Sequence, residues 1–162
     1  HRRIRELAGA LLLMDDLRQR ESYLAGEIDY LEPTVLSLSQ TLGRSPLPAY
    51  LVPEPDEAAG SARRIAGDQL WETYFRYTAQ LAAARKSPFL EAWVGHEVAL
   101  RNALAAARAE RLGLEPAGYL VAPELAQSDD DFGSLLSEWA AATSPLMGQQ
   151  RLFWLPNMWL DG

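Results

Sequence analysis

The sequence predicts an all-α protein, an antiparallel helical bundle-like domain. Three observations lead there. Apolar residues recur at helical spacing in several separate segments. Several of those segments open on Ser or Pro or close on Gly, residues that start and stop helices. No stretch shows the strict apolar–polar alternation of a half-buried strand. The chain has 162 residues, 48% of them hydrophobic and 23% charged, which suffices for a real core. One helical domain over residues 1–162 is therefore expected, with sub-units 1–60 and 61–162 about a Pro-rich linker as the alternative division.

The first helix is expected from about Arg2 to Ala25. Its middle, Ala10 to Met14, is apolar all round and so calls for burial on several sides. Ile4, Leu7 and Leu11 are in helical register from the first turn, which predicts a fragment of a longer parent. A second helix is expected over Glu32–Leu42, opened by Glu32–Pro33 and stopped by Gly43. Pro46, Pro48, Pro53 and Pro55 mark the next stretch as an extended connector. Helix resumes at Ser61, with Leu70, Trp71, Tyr74, Tyr77, Thr78 and Leu81 on one face. The aromatics Trp71, Tyr74, Phe75 and Tyr77 read as core packing rather than a cofactor box.

The clearest helix runs from a Ser87 cap and Pro88 to a Gly113 stop. Leu90, Trp93, Val94, Val98, Leu100, Leu104 and Leu112 share its apolar side, and Glu97, Arg101 and Arg108 lie in the middle of that side. Glu97 and Arg101 have the i,i+4 spacing of an ion pair, weak if exposed and an orienting device if buried. Arg108 is placed to continue the seam to Asp15 or Asp16. Beyond Gly113 come a short helix or turn ending near Pro123, a helix capped by Ser128 and Asp131, and a segment from Ser144–Pro145 to Pro156. Leu17, Arg18, Leu31, Glu32 and Pro33 match Leu100, Arg101, Leu114, Glu115 and Pro116 at one offset, with Gln19 against Asn102. A duplication and a chance match are both open readings of that register.

No catalytic signature accompanies these helices. There is no cysteine, hence no disulfide, thiolate metal site or thiol nucleophile. His96 has no neighbouring ligand set and reads as a surface histidine; Asp129, Asp130 and Asp131 lack the pattern of a calcium loop. No glycine-rich stretch leads into a Lys-Ser/Thr pair. No cofactor and no metal are expected, nor is the chain expected to be an enzyme. A net charge of −7 argues against nucleic acid and anionic membrane as partners, although folding can still gather a basic face. The longest uninterrupted apolar run, Ala10–Met14, is far short of a membrane span, so no direct insertion is expected.

Several segments carry a family likeness: LWETYFRYTAQ (70–80), the helix FLEAW…E..LRNALAA (89–106), the tail SPL…WLD (144–161), MDDLRQ (14–19) and LPAYLVPE. Together they resemble a bacterial family encoded beside V-type ATPase genes. Gln19 stands where that family's Asp-Leu-Arg-Asn element has asparagine. The E..LRN…A.RAERLG pattern is distantly similar to the repeated helix of the C/d-type component of V-type ATPases, which sits between the rotating central stalk and the membrane ring. The family's N-terminal opening is absent here, and its final helical portion is cut short after Gly162. The resemblance implies a non-catalytic accessory or coupling component of a bacterial V-type ATPase, cytoplasmic and peripheral to the membrane through that complex. The alternative is a freestanding helical interaction or assembly factor. Protein partners are expected in both cases. Phe153, Trp154, Met158, Trp159 and Leu160 form a candidate partner-facing patch, with folding back onto the domain's own core as the competing reading.

Overall fold

Residues 1–53, 66–127 and 132–141 are described by the computed structural model, and all elements named below lie among them. Helix α1 spans Arg2–Leu24 and ends where Gly26 takes a positive φ of 74°. Helix α2 covers Leu38–Thr41, α3 Ala66–Ala84, α4 Pro88–Arg111 and α5 Gly133–Ala141. Short 3-10 turns occupy Ala49–Leu51, Pro116–Tyr119 and Pro123–Leu125. The fold is all-α, as the periodicity predicts.

The Ser-Pro start and Gly stop of α4 work as expected. Ser87 Oγ accepts from the Leu90 N–H at 3.3 Å, and Gly113 adopts φ 68° after the last turn. Arg101 and Arg108 do not share one buried line, however. Arg108 is exposed, and Leu112, expected on the apolar side, is 67% exposed. The reason on the α1 side is length: α1 ends at Leu24, so the last turn of α4 extends past it.

The helix expected over Glu32–Leu42 is a correction. Only Leu38–Thr41 is helical, opened by a capping box in which Ser37 Oγ and the Gln40 side chain satisfy each other's backbone N–H. Residues 34–36 are held instead by Asp16, which is fully buried on α1. Its Oδ1 accepts from Thr34 N at 2.8 Å, and its Oδ2 accepts from Val35 N and Leu36 N at 2.7 Å each. Three charge-assisted bonds to one carboxylate outweigh the single i→i−4 ladder that this segment forgoes.

α3 packs on both α1 and α4. It runs antiparallel to α1, since Arg85 meets Glu6 near one end and Trp71 meets Glu21 near the other. The tight turn at residues 85–87 makes α3 and α4 antiparallel as well, so α1 and α4 run parallel to each other. The core lies among them: Leu13, Met14 and Leu17 from α1, Trp71, Tyr74 and Phe75 from α3, Val94 and Val98 from α4. Leu36, Leu51, Val121 and Ala122 close it from the connectors. Of the aromatic stripe, Trp71, Tyr74 and Phe75 are buried, while Tyr77 stacks on Tyr50 with ring centroids 4.7 Å apart. A second apolar cluster joins Ala99 and Leu100 of α4 to Phe132, with Leu135 and Leu136 of α5 packed against it. No helix among the described residues is long and apolar enough to cross a membrane.

Candidate functional site

Two of the three charged residues singled out in the sequence, Glu97 and Arg101, lie on a seam where α1, α3 and α4 face one another, while the third, Arg108, is exposed. Glu97 is 6% exposed, and its Oε2 accepts from Arg18 Nη2 of α1 at 2.9 Å. The expected i,i+4 partner, Arg101, points elsewhere. Its Nη2 donates to Glu21 Oε1 of α1 at 3.3 Å and stands 3.7 Å from Asp68 Oδ1 of α3. The Arg101 guanidinium also lies 4.5 Å from the centroid of the Trp71 ring, whose Nε1–H donates to the same Glu21 oxygen at 3.2 Å. An i,i+4 contact within α4 would leave Arg18 and Glu21, both on α1, without a counter-charge from α4. The interhelical pairing satisfies both, and the indole face adds a cation–π contact that requires a planar guanidinium.

Parallel α1 and α4 are thus cross-braced, an arginine of each reaching a carboxylate of the other. The matched triplets do equivalent work. Leu17 and Leu100 are buried, Arg18 and Arg101 make the two ties, and the following amides each clamp a downstream connector. Gln19 Oε1 accepts from Glu32 N at 2.8 Å. Asn102 bonds both backbone groups of Val121, Nδ2 donating to the carbonyl at 2.9 Å and Oδ1 accepting the N–H at 2.8 Å. That second clamp holds the chain beside Ala122, a fully buried alanine in the left-handed region with φ 40°.

Burial raises the Glu97 pKa, and Arg18 and His96 pull it down without cancelling the rise. Burial likewise pushes the Tyr74 hydroxyl up, and the group donates to the Ala10 carbonyl at 2.7 Å. Both groups are engaged with fixed protein partners, so the arrangement orients helices and presents no nucleophile beside a base. Among the described residues, no three His, Cys, Asp or Glu side chains converge to hold a metal. A surface depression lined by Ala79, Ala83, Val94 and Leu125 carries only Glu91 and Glu124 as ionisable groups.

His96 is half-buried and packs its ring 5.6 Å from that of Phe132, so it is not the plain surface histidine its position suggests. Asp129, Asp130 and Asp131, and the patch of Phe153, Trp154, Met158, Trp159 and Leu160, lie outside the described residues. Sequence reasoning missed Asp16 as a backbone anchor and Arg18 as the partner of Glu97. The one signal for Arg18 was the shared offset, which sets it level with Arg101. Compared with known proteins, the chain matches no family model, no curated protein and no solved structure.

Proposed function

We propose that the chain is a rigid, non-catalytic helical accessory or coupling component of a bacterial V-type ATPase. It would work in the cytoplasm, peripheral to the membrane through the complex. One observation carries the reading. The side chains of the E..LRN pattern on which the resemblance rests are all committed to architecture: Glu97 and Arg101 tie α4 to α1, and Asn102 clamps the connector at Val121. Motif residues engaged in bracing suit a part that transmits or holds position rather than one that performs chemistry. Partner contacts would then fall on outer faces and on the apolar C-terminal stretch.

Affinity purification of the tagged parent protein from its native cell tests this. Recovery of V-type ATPase components at comparable abundance is the expected result. Recovery of other proteins without any part of the ATPase would favour a freestanding assembly factor instead.

A further inference from the structure

We propose that the end of the bundle where α1 and α4 begin docks on an anionic lipid surface. Two distant stretches meet there. Arg2, Arg3 and Arg5 open α1, while Arg85 and Lys86 form the turn between α3 and α4. Arg3 Nη2 donates to the Lys86 carbonyl at 3.1 Å, Arg85 Nε lies 2.6 Å from Glu6 Oε2, and Arg2 Nε donates to Glu6 Oε1 at 3.1 Å. Five cations therefore share one end with Glu6 and, in the first turn of α4, Glu91; Glu124, paired with Arg76, lines the depression beside Ala83 and Glu91. Arg5 and Lys86 are exposed and form no ion pair among the described residues.

Two large apolar side chains stand in this basic setting, Ile4 at 70% exposure and Phe89 at 62%. Apolar residues flanked by Arg and Lys suit the headgroup–acyl boundary, where the rings and branched chains enter and the cations stay with the phosphates. Nucleic acid offers Ile4 nothing. An acidic protein segment is best held in a groove, whereas Lys86 and Phe89 stand on a tight turn and the helix start that follows it.

The net charge of −7 does not oppose an end-on approach. With 23 residues, α1 is roughly 35 Å long. The acidic connector holding Glu27, Asp29 and Glu32 follows its far end, well beyond the ~8–10 Å over which charge is felt at physiological salt. The proposal stands on this surface alone and is independent of any association with an ATPase.

The test is flotation of the chain with vesicles of phosphatidylcholine, with and without phosphatidylglycerol. Binding is expected only to the anionic vesicles, and weaker as salt rises. Arg5→Gln and Lys86→Asn should each lower partitioning roughly five-fold; asparagine tolerates the φ of 47° at position 86. Ile4→Ser and Phe89→Ser should also lower it, at unchanged charge, a loss that pure ion attraction does not produce. All four positions are exposed, so melting temperatures should hold. Equal binding to both vesicle types, or variants that bind like the parent, would overturn the proposal. So would capture by polyglutamate or an oligonucleotide, with the same dependence on Arg5 and Lys86, in the absence of vesicle binding.

Discussion

Arg18 and Glu97, 79 positions apart in the chain, meet at 2.9 Å and join two parallel helices that both pack on α3. The neighbouring tie from Arg101 to Glu21 runs the opposite way. Between them they fix both the spacing and the axial register of α1 against α4, because each arginine reaches a carboxylate at a definite level of the other helix.

Removing one member of the inner tie should be costly and removing both less so. Arg18→Met leaves Glu97 in a buried site without its counter-charge. The expected loss is about 2–3 kcal/mol, below the ~3–5 of a fully buried pair, because the Arg18 side chain keeps 31% of its exposure. Glu97→Gln with Arg18→Met should recover part of that. A double-mutant cycle by urea denaturation measures the coupling, and the same cycle between Glu97 and Arg101 should give little. The reverse ranking would contradict the pairing described.

Glu97 also sets a pH dependence whose sign differs from that of an ordinary salt-bridged carboxylate. Burial raises its folded pKa above the ordinary 4.5, outweighing the opposing pull of Arg18. The folded state therefore binds a proton more readily than the unfolded state, and stability falls as pH rises through the window above 4.5. Glu6 goes the other way. Burial pushes it up, but Arg2 and Arg85 together hold it below 4.5, so its contribution is lost as pH falls. Subtracting the stability–pH curve of Glu97→Gln from that of the parent should leave a downward slope above pH 4.5. An upward slope below pH 4.5, with no downward slope above it, would show that the ion pair prevails over burial.

Asp16 should be the hardest residue to replace in α1. Asp16→Asn keeps one acceptor oxygen but turns an N–H₂ toward donors, at a cost of about 2 kcal/mol. Amide exchange should accelerate at Thr34, Val35 and Leu36, the three groups it accepts from, while the middle of α3 stays protected. Unchanged exchange at those three amides would mean that the connector is held by something else.

Gly95 should resist even a methyl group. A Cβ there would lie 2.5 Å from Gln127 Cγ, on a connector whose N–H already bonds the Gly95 carbonyl at 3.2 Å. Gly95→Ala is expected to lower stability by about 1–3 kcal/mol despite the better helix propensity of alanine. Adding Gln127→Gly should restore most of it. Thermal melts of the three variants check this, and no recovery in the double variant would assign the loss to another contact.

Local signals in the chain were enough to place the main helices and to bound α4. Periodicity, the Ser87 cap and the glycines at 43 and 113 act over about one helical turn, and both glycines take the positive φ their positions require. Burial of Trp71 and Tyr74 was legible for the same reason. The choice of partners came from packing. Glu97 had an arginine four residues away and took one 79 away; Glu32 and Pro33 offered a helix start, and a carboxylate from α1 captured the following amides instead. The physical cause is common to both. Local signals fix φ and ψ within a segment, but a charge or a free N–H is settled by whichever group folding brings nearest, at the lowest cost in lost solvation. That ordering depends on how helices pack, and spacing along the chain does not encode it.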